Sequence, residues 1–135
     1  MPTEPNPMDD LLVELEGHRC LVMSPEGPPV ADANGARDLI EAALSEEAEV
    51  VAVPVERLDP AFFQLRTGLA GEMLQKCANY GLTLAVIGDV SAHRAASEAF
   101  RDLVVEADRG TTLLFVTDLA ALQQRLGKIR PSSLR

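Results

Sequence analysis

Three short runs constrain this chain more than any other feature. "EVVAVPV" (Glu49–Val55), "TLAVIG" (Thr83–Gly88) and "TTLLFV" (Thr111–Val116) have unbroken apolar centres rich in β-branched residues. Segments this short are strands rather than helices. Apolar residues at successive positions, with no polar alternation, mark strands buried on both faces. That is the condition of a parallel sheet covered by helices. Pro54 closes the first run, because proline has no N–H to give a ladder.

The segments between the runs read as those helices. "DANGARDLIEAALSEE" (32–47) carries Ala36, Leu39, Ile40, Ala43 and Leu44 on one stripe, with Asp32 or Asn34 as its cap. A second helix begins near Thr67 and places Leu69, Met73, Leu74, Cys77 and Ala78 on one face, with Gly81 as its C-terminal stop. Ser91 is placed to cap a third, whose stripe is Ala96, Ala99, Phe100, Leu103, Val104 and Ala107. Asp118 caps a fourth carrying Leu119, Leu122 and Leu126. A short helical turn is expected after Asp59-Pro60. Ahead of all this, "LLVELEGHRCLV" (11–22) alternates with period two around Gly17, a hairpin. The order is β-β-α-β-α-β-α-β-α. It predicts one α/β domain over residues 11–127, with a mostly parallel mixed sheet, an antiparallel edge strand and about four helices. Residues 1–10 and 128–135 read as tails.

Composition narrows the function. Twenty-one acidic residues against twelve Lys and Arg give a formal charge of −9. Such a chain lacks the basic face that phosphate neutralisation requires, so nucleic acid is not the expected partner, and an anionic membrane surface is disfavoured for the same reason. No apolar run approaches the ~20 residues of a membrane helix. Two cysteines, Cys20 and Cys77, with no signal-like segment, point to a reducing cytoplasm. His18 and Cys20 make only an H-x-C pair, too few ligands for zinc. Cys77 reads as core packing. No P-loop, G-x-G-x-x-G or G-x-S-x-G is present, so no catalytic residue and no cofactor is expected.

Two places can carry chemistry. Arg66-Thr67-Gly68 begins a helix after a parallel strand. There Thr67 serves as a cap, and the same geometry makes an anion site. Gly68 and Gly71 let a ligand or partner backbone come close, and Arg66 can pair with a carboxylate or phosphate. "GDVSAH" (Gly88–His93) lies at the carboxyl end of a parallel strand, where ligands of open α/β sheets bind. Asp89 and Ser91 are its candidates, and each is also an ordinary turn or cap residue. His93 reads as an exposed polar side chain.

"FFQLRTGLAGEMLQKCANYGLTLAVIGDVS" (Phe62–Ser91) resembles the signature block of a bacterial domain of unknown function, DUF4180, and "RDLVVEADRG" with "LLFV" resembles its next block. More loosely, the element order is similar to the STAS domain of anti-sigma-factor antagonists. In that fold a serine before Gly-Leu is phosphorylated. Laid on that motif, Thr67 takes the place of the modified serine, while Leu65 and Arg66 depart from the acidic residue and serine expected before it. The resemblance implies a non-catalytic regulatory module that contacts a protein partner through Arg66, Thr67, Gly68 and Gly71, with Asp89 and Ser91 beside them. The alternative is a small-molecule or anion-binding cleft at the carboxyl ends of the strands, distinguished by a concave site with convergent polar groups. A third reading, a homo-oligomer subunit, requires a large apolar patch on one helix face.

Overall fold

A computed structural model describes residues 10–129. Five strands form one sheet in the order of the sequence: β1 (Leu11–Leu15), β2 (His18–Val22), β3 (Val50–Pro54), β4 (Thr83–Ile87) and β5 (Leu113–Val116). β1 pairs antiparallel with β2, and the other neighbours are parallel. The three apolar runs lie side by side: Ala52 pairs with Ala85, and Ala85 with Leu114. The mixed, mostly parallel sheet with an antiparallel edge is therefore as the sequence predicts.

Successive parallel strands joined by right-handed crossovers place all connecting helices on one face. The packing agrees. Leu39 and Ile40 of α1 (Ala33–Ser45), Met73 and Cys77 of α2 (Leu69–Asn79), and Phe100 and Val104 of α4 (Glu98–Asp108) share one core. Leu21, Val51, Val53, Leu84, Val86 and Leu113 meet them from the sheet. The other face carries Cys20, Val50, Ala52, Ala85, Leu114 and Val116, covered by Leu122 and Leu126 of α5 (Leu119–Leu126). Both faces of β3 and β4 are dry, which is why their sequences do not alternate.

Asp32 and Asp118 cap α1 and α5 through the Gly35 and Ala121 N–H groups, at 3.0 and 2.8 Å. Asp59 likewise accepts from Ala61 at 2.9 Å and opens a 3-10 turn over Pro60–Phe63. The expected third helix is two. α3 (Ser91–Ala96) stops at Ser97, whose backbone is extended and whose hydroxyl accepts the Phe100 N–H at 3.1 Å to start α4. A serine that satisfies an N–H locally competes with helix continuation, and here it wins. Ala96 and Ala99 are consequently exposed and leave the predicted stripe.

The predicted tails fall mainly outside the described residues. At their inner ends, Asp10 accepts the Ser24 N–H at 2.8 Å, and the Ile129 carbonyl bonds His18 Nε2 at 2.8 Å. Nδ1 of His18 meets Glu49 at 3.2 Å, so both ring nitrogens of this buried histidine face oxygen acceptors.

Candidate functional site

The connection from β3 to α2 is long, and it builds the site. It runs through three 3-10 turns, Val55–Arg57, Pro60–Phe63 and Leu65–Thr67. Its anchors are Leu58, Phe62 and Phe63, all buried. Burying a phenylalanine side chain contributes about 1.5–3 kcal/mol, enough to fix an irregular segment. Arg57 is also buried, a role its sequence context does not announce. Its Nη1 and Nε donate to the Ser24 and Pro28 carbonyls at 2.7 and 2.8 Å, which ties down the proline-rich loop after β2.

Thr67 does not cap α2. Gly68 takes the N-cap position with φ +82°, a left-handed conformation that disfavours side chains. The exposed Thr67 hydroxyl turns back on the connection instead. Its Oγ1 lies 2.6 Å from the Ala61 carbonyl oxygen and 2.9 Å from that of Gln64, both positioned to accept its single proton. The Leu69 N–H reaches it only at 3.3 Å. Thr67 is thus a staple between two successive 3-10 turns.

The connection after β4 approaches from the side. Gly88, at φ +139°, lets the chain pass Val55: a Cβ there would lie 2.8 Å from Val55 Cγ2. Asp89 accepts the Ser91 N–H at 2.9 Å, and hydrogen bonding to Ser91 holds its carboxyl below the usual range. Ser91 is the first residue of α3, not its cap. His93 corrects another expectation. It is half-buried, lying flat on Phe63 with ring centroids 3.8 Å apart and planes 8° apart. Phe100 meets Phe63 edge-on at 5.3 Å.

Between the two connections lies an open cleft of about 490 Å³, walled by Pro60, Phe63, Gln64, Leu65 and Arg66 on one side and by His93, Ala96, Ser97 and Ala99 on the other. Of the sequence candidates only Arg66 lines it. Gly71 lines a separate, mostly apolar groove of about 350 Å³ between α2 and α4. Ser91 lines a small depression with Arg94 and Arg101. The candidates thus share a region of the molecule and do not converge on one pocket. Gln64, His93 and Ser97 are the wall residues that sequence reading missed. Ser97 left no distinctive signal, since its spacing to Phe100 also fits an exposed serine within a continuous helix. The Phe63–His93 stack spans thirty residues and left none.

Electrostatics set the cleft apart from the rest of the surface. In a chain with nearly twice as many acids as bases, no Asp or Glu is among the described residues of its wall. Its charge-bearing side chains are Arg66 and His93. Neither has a hydrogen-bond or ion-pair partner among the described residues. The exposed large apolar residues, Leu11, Leu12, Tyr80, Val105 and Leu119, are spread over β1, the end of α2, α4 and α5 rather than gathered on one helix face. Among the described residues no group of three or more potential metal ligands occurs, and no helix is long and apolar enough to cross a membrane.

No curated protein and no solved structure matches the chain. A family model described as a domain of unknown function, DUF4180, matches residues 15–126, a span that includes all five helices and the whole cleft. The chain therefore belongs to the DUF4180 family.

Proposed function

We propose that this protein is a binding module whose cleft, between the connections that follow β3 and β4, takes an anionic ligand. One observation carries the reading: among the described residues the cleft wall of this strongly acidic chain has no carboxylate, and Arg66 and His93 stand on it without a partner. The aromatic pair Phe63–His93 offers an apolar floor to the body of a ligand, and the guanidinium offers a bidentate fork to its carboxylate or phosphate. The site lies at the carboxyl ends of parallel strands, a favoured place for ligands in open α/β sheets. Ser97 and His93 share the wall, but the Ser97 hydroxyl accepts the Phe100 N–H, so the reading is of binding rather than catalysis.

The test is an NMR titration of labelled protein at neutral pH with inorganic phosphate and with short carboxylates. Shifts confined to residues 60–66 and 91–99 support the cleft. Arg66→Ala then weakens binding by about 10- to 100-fold, the worth of a charge-assisted hydrogen bond. Shifts scattered over the surface, or none, overturn it.

A second reading keeps the cytoplasmic, STAS-like regulatory module that contacts a protein through the Arg66–Gly68 turn. Gly71 favours it. This glycine sits inside α2, and a Cβ there would meet nothing within 4 Å. The fold itself gives no reason for glycine, whereas a partner approaching that helix does. An Arg66→Ala, Thr67→Ala double variant that folds and still recovers every cellular partner removes this surface from consideration.

A further inference from the structure

The cleft reading is here carried one step further, to the charge of the ligand and the protein group that senses it. His93 is held by packing alone: its ring lies on Phe63, and Phe100 stands edge-on 6.3 Å away. Each ring nitrogen of an imidazole can make a hydrogen bond; among the described residues neither of these has a partner. Arg66, from the connection after β3, lines the cleft with it. Arg94 follows it on α3 and lines a separate depression with Arg101 of α4, which donates to the Arg94 carbonyl at 3.3 Å. The nearby acids in sequence are Asp89, engaged with the Ser91 N–H, and Glu98, exposed on α4; neither lines the cleft.

We propose that the cleft takes a compact oxyanion with two negative charges, a phosphate-type group, and that His93 grips it as an imidazolium, so that capture takes up one proton. Arg66 supplies a positive charge at every physiological pH, whereas an imidazole supplies one only when protonated. A dianion placed between the two satisfies both. A monoanion satisfies Arg66 and leaves His93 no reason to charge.

Sulfate is the probe, because it stays doubly charged from pH 5.5 to 8 and only the protein titrates. Calorimetry on the full chain is expected to show sulfate binding at pH 5.5, weakening with rising pH by up to about tenfold per unit above the imidazole range. Buffers of different ionisation enthalpy should report little proton uptake at pH 5.5, where a free imidazole is already mostly charged, and uptake rising toward one proton by pH 7.5. His93→Gln keeps a hydrogen-bond donor and loses the pH dependence; Arg66→Ala weakens binding by about 10- to 100-fold at every pH. The His93 ring resonances of the unaltered protein, followed by NMR, should titrate at higher pH with sulfate than without it, a readout that does not depend on any variant folding. Sulfate binding that is flat with pH and takes up no proton overturns the role of His93 while leaving the cleft as an anion site. Acetate bound as tightly as sulfate at pH 5.5 overturns the dianion. Neither anion bound at any pH overturns both this inference and the reading beneath it.

Discussion

At the residue scale, Thr67 and Gly71 show how one motif divides its work. Thr67 holds two 3-10 turns together by donating back to the connection. Thr67→Val, which keeps the shape and removes the hydroxyl, should lower stability by about 1 kcal/mol in urea unfolding, and Thr67→Ser should restore most of it. A phosphate on Thr67 would replace that donor with an anion facing two carbonyl oxygens. Modification there opens the turn, and intact-mass measurement on protein from its native host reads whether it occurs. Gly71 makes the opposite prediction. Its site is open and helical, so Gly71→Ala should stabilise the protein by about 0.5–1 kcal/mol. If that more stable variant loses a partner, the glycine is there for the partner.

At the scale of elements, the decisive feature is the break between α3 and α4. Ser97 ends one helix and caps the next, and this turns His93 and Ala96 toward the connection after β3. Ser97→Ala should cost about 1 kcal/mol of stability, as removal of a cap does. It should also perturb the amide resonances of α3 more than those of α5, which lies on the other side of the sheet. Gly88 sets the approach of the same segment. Gly88→Ala puts a Cβ 2.8 Å from Val55 Cγ2 at a φ that only glycine adopts readily, so it should destabilise by more than the cap loss. The helix stripe through residues 96–107 was legible as a pattern. Its interruption was not, because a capping serine and an exposed serine in a continuous helix have the same spacing.

At the scale of the whole molecule, the two thiols report on both faces of the sheet. Cys20 packs on the α5 side and Cys77 on the side of α1, α2 and α4, each fully buried. Desolvation raises both thiols from 9.0 to about 11, with Glu49 adding to the effect at Cys20. Native protein should therefore show no thiol reactive to a disulfide reagent at pH 8, and both should react once denatured. The sign of the pH effect follows. Between pH 9 and 11 the unfolded chain ionises thiols that the native state keeps neutral, so stability is full below pH 9 and is lost as pH rises toward 11. Replacing both cysteines with alanine should flatten that loss in denaturant melts taken across the range, net of the tyrosine and lysine background.

The chain itself determined the sheet and the helices. Strands buried on both faces must be apolar throughout, amphipathic helices must carry a stripe, and each is a short-range pattern with one physical solution. The cap at Asp118, and that at Asp32 as one of two choices, were legible for the same reason, since a cap acts within three residues; the caps read at Thr67 and Ser91 fall to Gly68 and Val90. Arg66, Thr67 and Gly68 were legible as a turn worth watching. Only tertiary structure decided that Thr67 bonds back to the Ala61 carbonyl, that Arg57 is buried among carbonyls, and that His93 lies on Phe63 in the cleft that Arg66 also lines. Those contacts join segments six to more than thirty residues apart, where no local spacing records them. The cleft exists because two connections from neighbouring strands happen to end on the same rim, and that proximity is a property of the sheet order, not of either connection's residues.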